Sequence, residues 1–189
     1  VAVCSPTWYE FITIVYAVAK IGAVVVPYNT RYRENEAEYI IRDSEAKVVF
    51  FSEVTDSINH LSQLSSIKER NSTVEHLIPV RFEQEGLVSY SKLLQMGKSK
   101  DVPEVTINVQ EDLFAIVYTS GTTGFPKGVM ITHHNMVTVG INSFEVNGFE
   151  KGDVILHCAP YFHVMGLGAI VRFVLYEVKA VILESFNAK

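Results

Sequence analysis

The stretch KIGAVVVPYNTRYRENEAEYIIRDSEAKVVF, residues 20–50, decides the fold class of this chain. Its first apolar run, at 23–27, is rich in β-branched residues and closes at a proline, which is typical of a buried strand. A charged stretch from Asn35 to Arg42 has helical spacing, and a second apolar run follows at 46–51. A strand, a helix and a strand in this order favour parallel strands joined by a helix that covers the sheet.

The same alternation continues on both sides of this stretch. Residues 5–7 supply a turn and a helix N-cap, and from Trp8 the apolar positions follow the helical period as far as Gly22. Further helices are predicted at 58–67, 90–96 and after Thr132, and further strands at 1–4, 76–80, 113–118, 129–131, 154–159 and 180–184. The sequence therefore predicts an α/β fold with a mainly parallel sheet flanked by helices, and a polar surface connection at about 81–110.

Composition limits the function classes. Of 189 residues, 48% are apolar and 20% charged, which excludes a disordered chain. A net charge of −5 argues against binding a nucleic-acid backbone. The most apolar stretch, Phe11 to Ala19, is too short to cross a membrane. Cys4 and Cys158 cannot build a disulfide framework, so we expect them to be small core residues in a reducing, cytoplasmic protein.

Residues 118–128, YTSGTTGFPKG, form the most informative segment. Glycines let the backbone approach a ligand closely, and here they alternate with hydroxyl side chains and precede Lys127. Many donors and one ammonium suit a polyphosphate. The segment is not a Walker A loop, because Pro126 precedes the lysine and a strand follows it. The plain alternative is a polar hairpin turn, which eleven residues of this order disfavour.

Three segments carry a resemblance to a known family. YTSGTTGFPKGVMITHHN, at 118–135, resembles the phosphate-binding signature of the adenylate-forming enzymes, which include acyl-CoA synthetases, luciferases and peptide adenylation domains. Residues 20–50 resemble the family's early segment, and PYFHVMGLG, at 160–168, resembles its next motif. The loop and Phe162-His163 favour acyl-CoA synthetases of the fatty-acid or 4-coumarate type.

The resemblance implies two half-reactions. A carboxylic acid and ATP, with Mg²⁺, give an acyl-adenylate and pyrophosphate, and coenzyme A then takes the acyl group. By position, the phosphates would be held by Thr119, Ser120, Gly121, Thr122, Thr123 and Gly124. Lys127 would neutralise the leaving pyrophosphate, and His163 would lie near the acyl carboxylate and the α-phosphate. Phe162, Met165 and Gly166 would border the acyl pocket.

The resemblance also implies that residues 1–189 are part of a large N-terminal AMP-binding domain, cut from a longer protein. The adenine, ribose and magnesium elements and a small C-terminal domain with a catalytic lysine would then lie outside this chain. We expect the fragment alone to be inactive. We also expect it to self-associate, because the helix predicted at 163–177 is apolar nearly all round, and Ile170, Val171, Val174 and Leu175 cannot all face one sheet.

Several other features have plainer interpretations. His133-His134, with His157 and Cys158, could suggest a metal site, but adjacent helical residues point apart, so we expect a polar helix start and no metal ligand. Glu34, Glu36 and Glu38 are expected on a solvated helix face, and Trp8, Phe11 and Tyr16 on a buried one. Two rival functions remain open: a phosphate- or nucleotide-binding module without turnover, and a P-loop-type phosphotransferase, which Pro126 disfavours.

Overall fold

A computed structural model of the chain describes residues 1–119 and 125–184. The described strands, in chain order, are β1 (Ala2–Cys4), β2 (Val26–Pro27), β3 (Val48–Phe51), β4 (Val54–Thr55), β5 (Ile58–Asn59), β6 (His76–Pro79), β7 (Leu113–Thr119), β8 (Lys127–Thr132), β9 (Val154–His157) and β10 (Lys179–Ile182). The helices are α1 (Tyr9–Lys20), α2 (Glu34–Asp43), α3 (His60–Arg70), α4 (Tyr90–Gly97), α5 (His133–Asn147) and α6 (Val164–Leu175). Strands and helices alternate along most of the chain, as the sequence predicts.

A parallel sheet forms the centre of the molecule. Its strand order is β2-β1-β3-β6, and every neighbouring pair is parallel. β7 lies beside β2, because the Val25 N–H donates to the carbonyl of Phe114 (3.0 Å) and the Ile116 N–H donates to the carbonyl of Val25 (2.9 Å). β9 and β10 form a second parallel pair, while β7–β8 and β4–β5 are antiparallel. The predicted α/β fold with a mainly parallel, helix-flanked sheet is confirmed.

Helices cover both faces of the central sheet, because successive strand residues point to opposite sides. One face packs against buried residues of α1 and α6: Phe11, Ile14, Val15, Val18, Leu167, Ile170 and Val171. The other packs against buried residues of α2 and α3: Ala37, Ile40, Ile41, Leu64 and Ile67. Of the three aromatic residues predicted on a buried face, Phe11 is fully buried, whereas Trp8 and Tyr16 are half-buried at its border.

The carboxyl ends of the parallel strands meet at one edge of the sheet. β7 runs parallel to β2, so the segment that follows Thr119 starts at this same edge. Open α/β sheets bind their ligands outside the carboxyl ends of the strands. The fold therefore brings the glycine-rich segment to the edge where a ligand site is expected.

The structure corrects two details of the first helix and second strand. The N-cap of α1 is Trp8, whose side chain makes no capping hydrogen bond, so the expected cap at residues 5–7 is wrong. The Trp8 N–H instead donates to the carbonyl of Pro6 (2.7 Å), which closes a turn ahead of the helix. β2 is limited to Val26–Pro27 and does not extend over 23–27.

The two cysteines have different surroundings. Cys4 is fully buried, as expected, and burial raises the pKa of its thiol to about 12. Cys158 was expected in the core, which is wrong: β9 ends at His157, and the thiol beyond it is exposed. Both are free cysteines. Within the described residues, we find no helix with the length and apolar character needed to cross a membrane.

Candidate functional site

A cleft of about 600 Å³ opens at the carboxyl edge of the sheet. Its walls come from the loops that follow β1, β2, β9 and β10 and from the β4–β5 hairpin. The lining residues are Pro6, Thr7, Trp8, Asn29, Thr30, Arg31, Thr55, Asp56, Cys158, Pro160, Phe162, His163 and Glu184. Most of these side chains are polar, so the cleft suits a polar or charged ligand.

Phe162 and His163 lie side by side in this cleft, with ring centroids 4.7 Å apart. His163 is the N-cap residue of α6, and its N–H donates to the carbonyl of Pro160 (3.2 Å). Its own carbonyl accepts the first helical hydrogen bond from Leu167 (2.9 Å). The imidazole is exposed to the cleft, while the backbone that carries it is fixed by the helix start.

Gly166 lets α6 approach the preceding turn closely. A Cβ at this position would lie 2.1 Å from the carbonyl oxygen of Pro160 and 2.9 Å from the Cα of Tyr161. Only a residue without a side chain fits there. Gly166 is thus buried beneath the Pro160–His163 turn, and Met165 is exposed on α6. Neither lines the cleft, so their assignment to an acyl pocket stays a prediction.

An aromatic stack supports the same turn from below. The ring of Tyr161 is buried between those of His157 (4.9 Å between centroids) and Phe11 (5.5 Å). Burial raises the pKa of the Tyr161 hydroxyl to about 12. Burial also lowers the pKa of His157, whose Nε2 lies 2.7 Å from the carbonyl of Ala159. The neutral imidazole therefore donates a hydrogen bond to the turn that presents Phe162 and His163.

The glycine-rich segment connects β7 and β8. Thr119 pairs with Lys127 at the loop end of this antiparallel hairpin, and Lys127 is exposed. The predicted phosphate-binding residues Ser120, Gly121, Thr122, Thr123 and Gly124 lie outside the described residues. At Gly128, a Cβ would lie 2.8 Å from Ile116 and 3.2 Å from the ring of Tyr118, so this glycine makes room for the tyrosine.

Comparison with known proteins identifies the family. The family model described as "AMP-binding enzyme" matches residues 1–189. The chain belongs to the AMP-binding enzyme family.

Relatives of this AMP-binding chain include named ligases. A 2-succinylbenzoate–CoA ligase from Oceanobacillus iheyensis is 30% identical, over 100% of this chain and 35% of that protein. A long-chain-fatty-acid–CoA ligase from Archaeoglobus fulgidus has a crystal structure with a TM-score of 0.85 and 32% identity, over 98% of this chain and 35% of that one. ATP-bound MatB from Rhodopseudomonas palustris has a TM-score of 0.78 and 25% identity, with 98% and 35% coverage. This chain thus spans about a third of the length of these relatives.

Arg81 joins three parts of the AMP-binding chain beside the cleft. Its Nε lies 2.8 Å from Oε1 of buried Glu10 on α1, and its Nη1 lies 2.9 Å from Oε1 of Glu184 after β10. Its guanidinium also covers the ring of Trp8, 4.2 Å from the centroid. Both Trp8 and Glu184 line the cleft. The sequence predicted only a surface connection at Arg81. Its partners, Glu10 and Glu184, are far away along the chain and leave no local signal.

The remaining candidates have structural contacts of their own. The His133 ring packs edge-on against Phe114 at 5.4 Å, and burial lowers the pKa of its imidazole. No group of three or more His, Cys, Asp or Glu side chains converges within residues 1–119 and 125–184. The acidic start of α2 is more than a solvated face, since Glu34 and Glu38 both pair with Arg70 of α3.

Proposed function

We propose that the protein carrying this chain is an ATP-dependent acyl-CoA synthetase. The carboxylate of an acid attacks the α-phosphate of ATP, which gives an acyl-adenylate and pyrophosphate. The thiol of coenzyme A then attacks the acyl carbon and AMP leaves, so a thioester forms. The observation that carries the proposal is the meeting of two features at one sheet edge: the Phe162–His163 cleft and the ends of the glycine-rich segment at Thr119 and Lys127. The ligase names of the relatives support it.

The first half-reaction brings two anions together. An approaching carboxylate and a triphosphate repel each other, so the site needs fixed donors where negative charge develops. We assign binding of the β- and γ-phosphates to Thr119 and to residues 120–124, and neutralisation of the leaving pyrophosphate to Lys127. Lys127 suits that role because its ammonium is exposed beside Thr119 at the hairpin end.

We assign the carboxyl end of the acid to the cleft, because most of the lining side chains are polar. The exposed imidazole of His163 would face the carboxyl group, and Phe162 would border the acyl chain. Met165 and Gly166 do not line the cleft. Their proposed role therefore requires an acyl pocket that extends beyond the cleft to another side of α6. The names of the relatives differ in their acid, so we propose a carboxylic acid, with a fatty acid as the first to test.

Mg²⁺ is expected with ATP, but the described residues do not form a site for it. The two carboxylates at the cleft are already paired: Asp56 with Arg31 (2.5 Å) and Glu184 with Arg81 (2.9 Å). We therefore assign no magnesium ligand to the described part of this chain. The ion would supply neutralisation of phosphate charge when bound with the nucleotide.

The full-length protein should catalyse acid-dependent exchange of labelled pyrophosphate into ATP, and the isolated 189-residue chain should not. The chain spans only 35% of the length of the ligases that it resembles, so most of a ligase of that length lies outside it. The measurement is the exchange rate with a panel of fatty and aromatic acids. Release of ADP in place of AMP would contradict the proposal. ATP binding by the full-length protein with no exchange for any acid would favour the rival, a nucleotide-binding module without turnover.

The isolated chain should also self-associate through α6. Leu167 and Ile170 are buried, but Met165, Val174 and Leu175 are 69%, 59% and 43% exposed. Such apolar surface favours contact with a second copy. Sedimentation velocity over a concentration series should show a growing dimer fraction, which Val174→Lys lowers. Val54→Lys, at an exposed valine on β4, is the matched control and should change nothing. A monomer at every concentration would refute this prediction.

A further inference from the structure

We propose that Tyr39 and Asp43 of α2 position Tyr118 and Phe125, the residues at the two ends of the glycine-rich segment, for ATP binding. Tyr39 and Asp43, the α2 positioning pair, contact both ends of that segment. The inference rests on the proposed function, because it assigns the ATP phosphates to this segment. Both residues of the pair lie in the stretch 20–50 that resembles the family's early segment, but the sequence predicted no role at the site for either of them.

The first contact fixes the end where β7 enters the segment. The Tyr118 hydroxyl donates a hydrogen bond to Oδ2 of Asp43, with 2.6 Å between the oxygens. Burial and the neighbouring carboxylate raise the pKa of the Tyr118 hydroxyl, so it remains a donor at neutral pH. A hydrogen bond to a charged acceptor is shorter and stronger than a neutral one. Gly128, across the hairpin, leaves the space in which the Tyr118 ring lies.

The second contact joins both ends through one ring. Tyr39 stacks on Phe125, with centroids 5.3 Å apart and planes 24° apart. The same ring meets Tyr118 edge-on at 6.4 Å. Aromatic pairs at these separations are favourable, and they constrain the direction of each ring. Tyr39 therefore links the residue that precedes Thr119 with the residue that precedes Pro126.

The position of α2 is fixed by its packing on the sheet and by ion pairs to α3. Ala37, Ile40 and Ile41 are fully buried against the sheet. At the other end of the helix, Arg70 of α3 reaches Oε1 of Glu34 (2.5 Å) and Oε2 of Glu38 (3.0 Å). A helix held by its buried face and by a neighbouring helix keeps the positioning pair at a fixed place relative to the sheet.

Fixing the two ends of a segment has a consequence for binding. As a general rule, fixing the two ends of a chain segment reduces the number of conformations that the segment can adopt. Preorganisation of this kind increases affinity by reducing the entropic cost of binding. The positioning pair does not touch the reacting atoms in this scheme, so its main effect should be on the KM for ATP and a smaller one on kcat.

The test compares two disruptive variants with their conservative partners in the full-length protein. Asp43→Ala and Tyr39→Leu should each raise the KM for ATP in pyrophosphate exchange by roughly three- to tenfold, the effect expected from one net hydrogen bond or aromatic contact. Asp43→Asn keeps an acceptor and Tyr39→Phe keeps the ring, so both should restore most of the affinity. Arg42→Ala, on the same helix and exposed, is the matched control and should leave the KM unchanged.

A second measurement separates this inference from the proposed function. Hydrogen exchange of the backbone amides at the hairpin end, Thr119 and Lys127–Met130, should become faster in Asp43→Ala and Tyr39→Leu but not in Arg42→Ala. This result does not depend on activity. If both disruptive variants leave the hydrogen exchange of these amides and the KM for ATP unchanged, the inference is overturned while the proposed function stands. If hydrogen exchange becomes faster in these variants but the full-length protein shows no acid-dependent pyrophosphate exchange, the positioning pair is supported and the proposed function is refuted.

Discussion

Replacing Lys127 by alanine in the full-length protein should slow formation of the acyl-adenylate by about 10²- to 10³-fold, the usual effect of removing one positioned charge-stabilising donor. The lysine is exposed at the loop end of the β7–β8 hairpin, opposite Thr119, where a leaving pyrophosphate would meet its ammonium. Pyrophosphate has departed before coenzyme A reacts. Transfer of the acyl group from supplied acyl-adenylate to coenzyme A should therefore remain close to the wild-type rate.

Single-turnover measurement of the two half-reactions tests this prediction. Lys127→Arg retains the positive charge and is the matched control, so its adenylation rate should lie between those of the wild type and the alanine variant. If the alanine variant converts supplied acyl-adenylate to thioester as slowly as it performs the overall reaction, the assignment of Lys127 to pyrophosphate is wrong.

Replacing Gly166 by alanine should destabilise the chain by about 3 kcal/mol, the upper part of the usual range for overpacking. The new methyl group would lie 2.1 Å from the carbonyl oxygen of Pro160, and backbone atoms have little room to move away. The turn that presents Phe162 and His163 must shift to relieve the contact. Urea denaturation of the variant and wild-type chains measures the loss of stability.

Gly168 offers a matched control two residues along the same helix. It is buried too, but a Cβ there would meet only the Arg172 guanidinium, at 4.0 Å. Alanine in the middle of a helix is favoured over glycine by roughly 0.5–1 kcal/mol, so Gly168→Ala should be neutral or stabilising. Equal stability of the Gly166→Ala variant and the wild type would show that the turn adapts, and would remove the packing explanation for this glycine.

Local sequence pattern was enough to predict the class of fold. Buried β-branched runs such as the one at 46–51 and charged helices such as α2 differ in period, and this difference determines their type. The pairing of β7 with β2 was not predictable, because Val25 and Ala115 are far apart in sequence. The error at Cys158 arose because an apolar run does not show the residue at which sheet pairing stops.

The candidate site was predicted in part. The motifs drew attention to Phe162, His163 and the ends of the glycine-rich segment, and the structure brings these to one edge of the sheet. Arg81 and Asp43 were missed as site residues, because nothing in the sequence around them indicates a partner that is distant along the chain. The packing at Gly166 was missed for a related reason: a clash depends on which backbone lies opposite.

The placement of β7 beside β2 also bears on synthesis of the protein. β1, β2, β3 and β6 all precede β7 by more than 30 residues, so they can pair before β7 has left the ribosome. Until β7 emerges, β2 is an open edge strand, and open edges recruit other unpaired strands. Pairings between distant segments also form slowly. We therefore expect the nascent chain to pass through an interval in which the edge at β2 is unpaired and prone to association with other strands.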